Sequence, residues 1–351
     1  MTLRLIFRYL KTKHVGVISA LEVGESVINS DTKTILLLKP RGFCAGVVRA
    51  IDIVRIALEA FGPPIYVRKE IVHNRFVVEE LQGKGAIFVD SEDEVPAGER
   101  IIYSAHGVSP EVRQNSNLRH LRVIDATCPL VTKVHVEAVK FAKEGYSLIL
   151  IGHRDHDEVI GTLGEAPTVT QVVGSPEEVA ALVVPDPEHV AYLTQTTLSL
   201  DETRGIIAAL RVKFPKITGP AAQDICYATE NRQVAVKEVA SEAGLVLVVG
   251  SDNSSNSKRL VEVARSLGTE AHLIDSCKNI QESWLQGVKT IALTAGASAP
   301  ECLVEEVLGF LATKGFANVK ELEVMPENVR FGLPPEIVEA IAAAPAMAIS
   351  E

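Results

Sequence analysis

The chain has 351 residues, a formal net charge of −10 and 47% hydrophobic residues, of which few are aromatic. A chain of this length exceeds one typical domain and can bury a large core. The negative charge disfavours nucleic acid as a partner, because the phosphate backbone is bound by basic surfaces. No apolar stretch approaches the ~20 residues that cross a bilayer, so we expect no membrane partner.

Five cysteines without paired spacing or a secretory signal indicate a reducing compartment rather than a disulfide framework. We therefore expect a cytoplasmic protein, with a plastid as the lesser alternative. Residues 1–33 are basic near their start, but their apolar runs are too broken for a signal peptide. We expect this N-terminal extension to be dispensable, so that a chain beginning at Thr34 keeps its activity.

Three copies of one pattern follow the extension. Each copy begins at a cysteine, namely Cys44, Cys128 or Cys226, and continues into an apolar helical stretch. A glycine stands 18, 17 and 18 positions after the cysteine, and we predict that it caps the helix at its C-terminus. These glycines are Gly62, Gly145 and Gly244.

The remaining landmarks of each copy are two strands and a helix start. The glycines are followed by short β-branched runs at 65–67, 148–151 and 245–249, as expected for buried parallel strands. A serine 47, 47 and 50 residues after the cysteine is predicted to be a helix N-cap. These serines are Ser91, Ser175 and Ser276. A second strand then ends at Ser104, Thr194 or Thr294.

The cysteines are predicted to share one cofactor. Each follows a strand and lies at a helix N-terminus, where the helix dipole favours thiolate. Three thiolates could hold Zn²⁺ with an open fourth position, or a [4Fe-4S] cluster with one iron free of protein ligands. No local C-x-x-C pair is present, and a cluster is wide enough to take one ligand from each unit, so we favour the cluster.

The predicted fold is therefore α/β, with three similar α/β units whose parallel sheets are arranged with pseudo-threefold symmetry around a central iron–sulfur cluster. The units are placed at 34–127, 128–225 and 226–316, followed by a C-terminal tail at 317–351. The other two cysteines, Cys277 and Cys302, break the repeat and are interpreted as packing residues.

The loops at equivalent positions of the three units supply a predicted polyanion cage. Histidines, hydroxyls and an amide, together with helix N-termini, are suited to binding a diphosphate. The chain has neither a P-loop nor a dinucleotide-binding glycine motif. The predicted cage residues are His73, His106, His156, Thr196, Ser254, Ser255, Asn256 and Ser298. Glu158 is the predicted proton donor, because it is the carboxylate two residues from His156.

Several motifs resemble the LytB/IspH family of 4-hydroxy-3-methylbut-2-enyl diphosphate reductases. They are PRGFCAGV, IVHNR, SAHGVS, DATCPLVTKVH, GHRDHDEVIGT, TQTTLS, DICYAT, NSSNS and TAGASAP, and the resemblance covers about residues 34–340. The chain departs from the family pattern at Lys39, where asparagine is common, and at Asp157, where proline is common.

The resemblance implies the last step of the methylerythritol phosphate route to isoprenoids, in which an allylic hydroxyl is removed by reduction. It implies a [4Fe-4S] cluster on Cys44, Cys128 and Cys226, with the free iron facing the substrate hydroxyl. The matching motifs imply that the diphosphate is bound by His73, His106, Ser254, Ser255, Asn256 and Ser298. The resemblance implies that Glu158 is the proton donor, with His156 and Thr196 completing the hydrogen-bond network near the hydroxyl.

An external electron donor such as ferredoxin or flavodoxin is also implied, because the chain carries no second cluster motif or flavin fingerprint. The oligomeric state stays open. The alternatives are a three-cysteine dehydratase resembling quinolinate synthase, a non-catalytic iron–sulfur sensor, and a zinc hydrolase. Diphosphate-dependent turnover that consumes reductant would decide against the dehydratase, and loss of activity in Glu158→Gln would decide against the sensor. A zinc hydrolase would be colourless, with one Zn²⁺ per chain and no loss of activity in air.

Overall fold

The computed structural model describes residues 33–343. The predicted dispensable extension, apart from its last residue, and residues 344–351 lie outside the described residues. Strands and helices alternate along the described chain, and every pairing between its strands is parallel. The predicted α/β class is confirmed.

The strands are short and mostly buried, as the β-branched runs predict. They are β1 Thr34–Lys39, β2 Ile65–Arg68, β3 Ala86–Val89, β4 Arg100–Tyr103, β5 Arg122–Asp125, β6 Ser147–Ile151, β7 Thr170–Val173, β8 Val190–Thr194, β9 Leu245–Val249, β10 Ala271–Ile274, β11 Thr290–Ala295 and β12 Asn318–Glu323.

The helices lie between the strands and cover the sheets. They are α1 Ala45–Phe61, α2 Arg75–Gly83, α3 Pro110–Leu118, α4 Pro129–Lys143, α5 Asp157–Glu165, α6 Pro176–Val179, α7 Leu200–Lys213, α8 Tyr227–Val239, α9 Ser255–Ser266, α10 Glu301–Thr313 and α11 Pro335–Ala343. None of the helices between residues 33 and 343 is long and apolar enough to span a membrane.

The strands form three parallel sheets, in agreement with the predicted three similar units. Their orders are β3-β2-β4-β5, β7-β6-β8 and β10-β9-β11-β1-β12. In each sheet the strand that follows the cysteine helix lies between two later strands of its own unit.

The sheets place one boundary differently from the sequence. β1, assigned to the unit at 34–127, pairs with β11 in the third sheet. β5 occupies the equivalent edge of the first sheet beside β4, and a bridge between Ala191 and Thr218 occupies it in the second. Each sheet is thus completed by the segment that leads into the next cysteine. In the third sheet this segment is β1, which comes before Cys44 at the start of the first copy.

The described part of the region called a tail, 317–343, packs against two units. β12 pairs along the whole length of β1 in the third sheet, and Ile337 of α11 is fully buried in the apolar core of the first unit, beneath α1. The repeat pattern did not predict these two contacts, because only one of the three copies carries β12 and α11.

The predicted caps are confirmed at most positions. Gly62 caps α1 with a positive φ of 74°, and Gly145, with a φ of 84°, directly follows the last residues of α4. Gly244 is a wrong prediction, because α8 ends at Val239 and a 3-10 turn separates them. The three serines are N-caps of short helical turns: Ser91, Ser175 and Ser276.

Candidate active site

The three cysteines occupy equivalent positions in the structure. Each is the N-cap of its helix, α1, α4 or α8. Each also donates its backbone N–H to a carbonyl in the loop after a sheet strand of the preceding unit. The bonds run from Cys44 to Ala297 at 3.1 Å, from Cys128 to Ala105 at 3.0 Å and from Cys226 to Thr196 at 3.0 Å. The pseudo-threefold relation therefore extends to individual hydrogen bonds.

The cysteine side chains converge on one cavity, and Gly46 shows how closely. A Cβ added to Gly46 would lie 2.8 Å from the Cys128 sulfur and 3.8 Å from the Cys44 sulfur. Cys226 is held by Thr229, whose N–H and hydroxyl lie 3.4 Å and 3.2 Å from its sulfur.

The charge state of the thiols depends on a cation. Burial raises the pKa of Cys128 to about 12 and that of Cys226 to about 11. The amides of Leu130 and Val131 act in the opposite direction at Cys128, as a helix N-terminus should, but burial outweighs them. Thiolates at these positions therefore need a positive partner, which metal ions supply.

The spacing of the sulfurs favours a cluster over a single ion. A tetrahedral Zn²⁺ with Zn–S bonds of about 2.3 Å holds its sulfurs about 3.8 Å apart. Within residues 33–343, the three cysteines do not form a group whose ligand atoms all lie within 4.8 Å of one another. The donor set fits a cluster that takes one thiolate on each of three iron atoms.

The cavity has a volume of about 110 Å³ and opens beside the cysteines. All predicted site residues line it: Cys44, His73, His106, Cys128, His156, Glu158, Thr196, Cys226, Ser254, Ser255, Asn256 and Ser298. The described lining contains no Lys or Arg. Positive potential comes instead from helix N-termini, because five of these residues are N-caps: Cys44, Cys128, His156, Cys226 and Ser254.

The three cage histidines meet on one side of the cavity. The rings of His73 and His106 stack with centroids 4.0 Å apart and planes inclined by 23°. His156 lies edge-on to both, at 5.5 Å and 5.8 Å. Burial lowers the pKa of His106 well below its usual value and that of His156 to about 3, and the neighbouring histidines add to both effects.

The Nδ1 atom of each histidine is used by its own loop. His73 Nδ1 lies 3.2 Å from the Glu70 carboxylate, and His106 Nδ1 lies 3.2 Å from the Ser104 hydroxyl. His156 Nδ1 accepts a hydrogen bond from the Glu158 N–H at 3.2 Å. In all three rings Nε2 is the atom left for a ligand.

Glu158 is a buried acid that has no cationic partner within residues 33–343. Its carboxyl accepts hydrogen bonds from the Thr196 N–H at 2.6 Å and from the Thr196 hydroxyl at 2.9 Å. Burial raises its pKa to about 7, against the effect of these two bonds, and the nearby Asp224 adds to the rise. A carboxyl with this pKa holds a proton near neutral pH and can release it, as a general acid must.

The polar residues of the third unit make protein contacts around the cavity. The Ser254 side chain caps α9, and Ser255 contacts the Thr197 hydroxyl at 3.1 Å. The Ser298 hydroxyl donates to the His73 carbonyl at 2.9 Å. Asn256 accepts from the Ala297 N–H at 2.8 Å and donates to Thr229 at 3.3 Å, so it joins the loop that holds Cys44 to the residue beside Cys226.

Comparison with known proteins identifies the family. A family model described as LytB protein matches residues 35–312. The chain belongs to the LytB family. A protein of Acidothermus cellulolyticus named 4-hydroxy-3-methylbut-2-enyl diphosphate reductase is 55% identical over 306 residues, which are 87% of this chain and 90% of the relative. A protein of the same name from Streptomyces coelicolor is 54% identical over 309 residues, covering 88% and 91%.

A solved structure from Plasmodium falciparum shares the fold of this LytB-family chain. It is described as E-1-hydroxy-2-methyl-but-2-enyl-4-diphosphate reductase, and it superimposes with a TM-score of 0.86 at 41% sequence identity. The match covers 89% of this chain and 98% of the other. The family and the fold expected from the motifs are both confirmed.

Several residues of the LytB-family site were not identified from the sequence. Tyr227 and Thr229 lie in the DICYAT motif, and Tyr227 accepts the Ala45 N–H at 3.1 Å. Phe331 lines the cavity from the segment after β12. Glu70 lies three residues before His73, and this spacing is the sequence signal that could have predicted the contact between them. Nothing in the repeat pointed to Phe331.

The two remaining cysteines lie away from the cavity. Cys277 is partly buried against the apolar core between the third sheet and α10, as predicted. Its sulfur donates to Glu306 at 2.9 Å. Cys302 is exposed on α10, so its interpretation as a packing residue is wrong. Its apolar neighbours in the sequence face the core, whereas its own position on the helix faces solvent.

Proposed function

We propose that this chain catalyses the reductive dehydroxylation of 4-hydroxy-3-methylbut-2-enyl diphosphate to isopentenyl and dimethylallyl diphosphates, the last step of the methylerythritol phosphate route. The observation that carries the proposal is a single cavity lined by three convergent cysteines, a polyanion cage and the buried acid Glu158. LytB relatives that bear the reductase name at more than half identity support it.

The proposed cofactor is one [4Fe-4S] cluster, held by Cys44, Cys128 and Cys226 with one iron free of protein ligands. The wide spacing of the sulfurs and their need for positive charge support it. When bound, the cluster supplies electrons and an iron with an open coordination position that acts as a Lewis acid toward the substrate hydroxyl.

Glu158 is the proposed proton donor. Its carboxyl is held by Thr196 on the cavity wall, so its direction is fixed, and its pKa of about 7 leaves a proton to give near neutral pH. Loss of a hydroxyl as water needs such a proton. We assign Thr196 and His156 to the hydrogen-bond network around the same hydroxyl, since His156 also contacts the Glu158 backbone.

The diphosphate is assigned to the part of the cage formed by His73, His106 and the polar residues of the third unit. His73 and His106 present stacked rings there, and Ser254, at the N-terminus of α9, places helix amides toward the same space. Ser255, Asn256 and Ser298 complete this side. Binding the diphosphate fixes the allylic group next to the cysteines, which lowers the entropic cost of reaction.

An external one-electron donor such as ferredoxin or flavodoxin is the proposed redox partner. Reductive loss of the hydroxyl consumes two electrons, and the chain offers no flavin motif or second cluster motif from which they could come. The partner must therefore dock on the protein surface and transfer electrons from there to the cluster.

The test is anaerobic purification with iron and sulfide analysis, followed by turnover of the hydroxymethylbutenyl diphosphate with a chemically reduced mediator. The proposal predicts four irons and four sulfides per chain and reductant consumed in step with product. An intact cluster without turnover would instead support the dehydratase or the sensor. Zinc without iron would overturn the cofactor assignment.

A further inference from the structure

The cavity poses a problem of charge. A diphosphate ester carries about three negative charges near neutral pH, yet no Lys or Arg lines the described cavity. Two carboxylates also lie near its histidine cage: Glu70 contacts His73, and Asp157 has an oxygen within 4.8 Å of ring nitrogens of both His73 and His106. Helix N-termini contribute only about half a charge each, and three of the five at the cavity are capped by the cysteines, so those at His156 and Ser254 supply about one charge together. A full positive charge is needed at the cage.

The hydrogen bonds of the three histidines show which one can carry it. His156 Nδ1 accepts the Glu158 N–H, so the neutral ring already places its proton on Nε2, toward the cavity. His106 contacts a hydroxyl, which can donate or accept, so its neutral ring can also donate from Nε2. Neither ring needs a second proton to bind an anion.

His73 differs because its partner is a carboxylate. Glu70 can only accept when it is ionised, so His73 Nδ1 must carry a proton. In the neutral ring Nε2 is then a lone pair, which would repel phosphate oxygen. Only the imidazolium form of His73 can donate to Glu70 and to a diphosphate at the same time.

We infer that His73 binds the diphosphate as an imidazolium whose Nδ1 proton is held by Glu70, so that substrate binding takes up a proton from solvent at this ring. Glu70 is then a positioning residue for the phosphate-binding histidine. The inference rests on the proposed function, because it assumes that the cage receives a diphosphate.

The surroundings of Glu70 support this assignment. Its Oε2 also accepts from the Asn253 amide at 2.7 Å, which joins the His73 loop to the loop that precedes α9. The hydrogen bond from His73 lowers the pKa of Glu70, so this half-buried carboxyl stays ionised near neutral pH. The carboxylate is thus fixed in both direction and charge.

The other charged groups around His73 are either negative, like Glu70, or belong to an ion pair whose charges cancel. Asp157 adds a second carboxylate at close range. The outer groove next to His73 carries Lys69, which pairs with Asp90 at 2.9 Å, and also Glu94. Apart from His106 and His156, the described charged groups that face His73 therefore carry a net negative charge, which complements a cationic donor at this ring.

A metal ion is a weaker interpretation of the His73, His106 and Asp157 group. Two histidines that share one ion must aim their lone pairs at a point about 2.1 Å from each nitrogen. The His73 and His106 rings are stacked at 4.0 Å with planes inclined by only 23°, so one ion close to both rings could not lie in both ring planes. Donors in two separate planes suit the separate oxygens of a diphosphate.

The experiment is calorimetric titration of the anaerobic, cluster-loaded protein with isopentenyl diphosphate at about pH 8, in buffers of different protonation enthalpy. An ordinary histidine, with a pKa of about 6.5, is mostly neutral there. The wild type is expected to take up about one proton per ligand. Glu70→Gln should abolish most of this uptake and weaken binding about tenfold to a hundredfold, as loss of a charge-assisted bond does.

Kinetics and control variants separate this role from a general structural one. Glu70→Gln should raise KM while kcat at saturation changes little, and Glu70→Asp should restore much of the proton uptake. Glu79→Gln is the matched control, because Glu79 is exposed and pairs with Arg75 on the same side of this unit. It should leave uptake, affinity and turnover unchanged.

Unchanged proton uptake and affinity in Glu70→Gln would overturn the inference, as would a wild type that binds and turns over without taking up a proton. Dependence of binding on added Zn²⁺ or Mg²⁺, and its loss with a chelator that leaves the cluster intact, would favour the metal site instead and also overturn it. A wild type that binds no alkyl diphosphate would refute the proposed function itself.

Discussion

Glu158 holds its proton because the residue is only 2% exposed and no cation among the described residues neutralises the ionised form. Since burial raises its pKa to about 7, the acid form that can donate is lost as pH rises through that value. We expect kcat to fall on the alkaline side of about pH 7. Its position in the sequence suggested the residue, whereas its protonation state follows from burial, which outweighs the two Thr196 bonds.

The substitution Glu158→Gln tests the donor directly. Glutamine keeps the shape and can still accept from the Thr196 N–H, but it has no acidic proton. We expect kcat to fall about 10²- to 10⁴-fold, the usual contribution of a general acid, with iron content and diphosphate affinity retained. Steady-state turnover and calorimetry of the same preparation measure both. A variant with wild-type kcat would exclude Glu158 as the donor.

Gly46 is constrained by the sulfurs rather than by its backbone. An added Cβ would lie 2.8 Å from the Cys128 sulfur, closer than van der Waals contact allows, and the sulfur would have to move. We expect Gly46→Ala to lower iron and sulfide content per chain and to shorten the lifetime of the cluster in air, measured by the decay of its absorption.

The control for Gly46 is Gly83→Ala at the end of α2, where nothing lies within 4 Å of an added Cβ. An alanine in a helix stabilises slightly by restricting the unfolded chain, so this variant should load iron normally. Equal iron content in both variants would show that the sulfur positions tolerate displacement.

At the scale of elements, the segment after β12 is tied to the cysteine loops by a buried charge pair. Arg232 of α8 is fully buried and donates to Glu327 at 2.9 Å, to the Ala228 carbonyl at 2.8 Å and to the Gly42 carbonyl at 2.8 Å. One guanidinium therefore joins α8, the loop before Cys44 and the segment that carries Phe331 over the cavity.

Removing the negative partner of this pair should be costly. Glu327→Gln leaves the Arg232 charge buried without compensation, and breaking such a pair costs about 3–5 kcal/mol. We expect this loss in the free energy of unfolding, measured by anaerobic denaturant titration. Glu323→Gln is the control, because Glu323 is about half exposed and its contact with Lys39 is long, at 3.8 Å; it should change stability by less than about 1 kcal/mol. Equal effects would refute the assignment.

The elements themselves were largely predictable, because each depends on local signals that recur three times. The β-branched run at 245–249 is β9 to the residue, and the cysteines and serines mark helix starts as expected. Gly244 failed since α8 gives way to a 3-10 turn at Ala240, a local change in hydrogen bonding that the glycine spacing does not encode. The residues predicted from their repeat positions to form the cage do line one cavity.

At the scale of the molecule, the sequence could not reveal which strand completes which sheet. β1 pairs with β11, some 250 residues away in the chain, and a repeat pattern read from cysteine to cysteine places it in the wrong unit. The pairing closes the three units into a ring, since each cysteine N–H is also held by the preceding unit. Partners such as Arg232 and Glu327, which are 95 residues apart, also leave no local pattern.

Closure of this ring around the proposed cluster makes a prediction about the whole protein. Ligands that bind only the native state stabilise it in proportion to their affinity, and here the ligand would join three helices from three units. Removing the cluster by anaerobic chelation should lower Tm by several degrees and speed hydrogen exchange at the loops before α1, α4 and α8.

Exchange in the interior of the sheets should change little on cluster removal, because strands such as β9 are fully buried and paired on both sides. Their protection depends on global unfolding, whereas the cysteine loops can open separately. Exchange that rises equally in β9 and in the Cys44 loop would show that the cluster organises the entire fold. No change anywhere would show that the three helix starts are held by the protein alone, chiefly by the bonds to Ala105, Thr196 and Ala297.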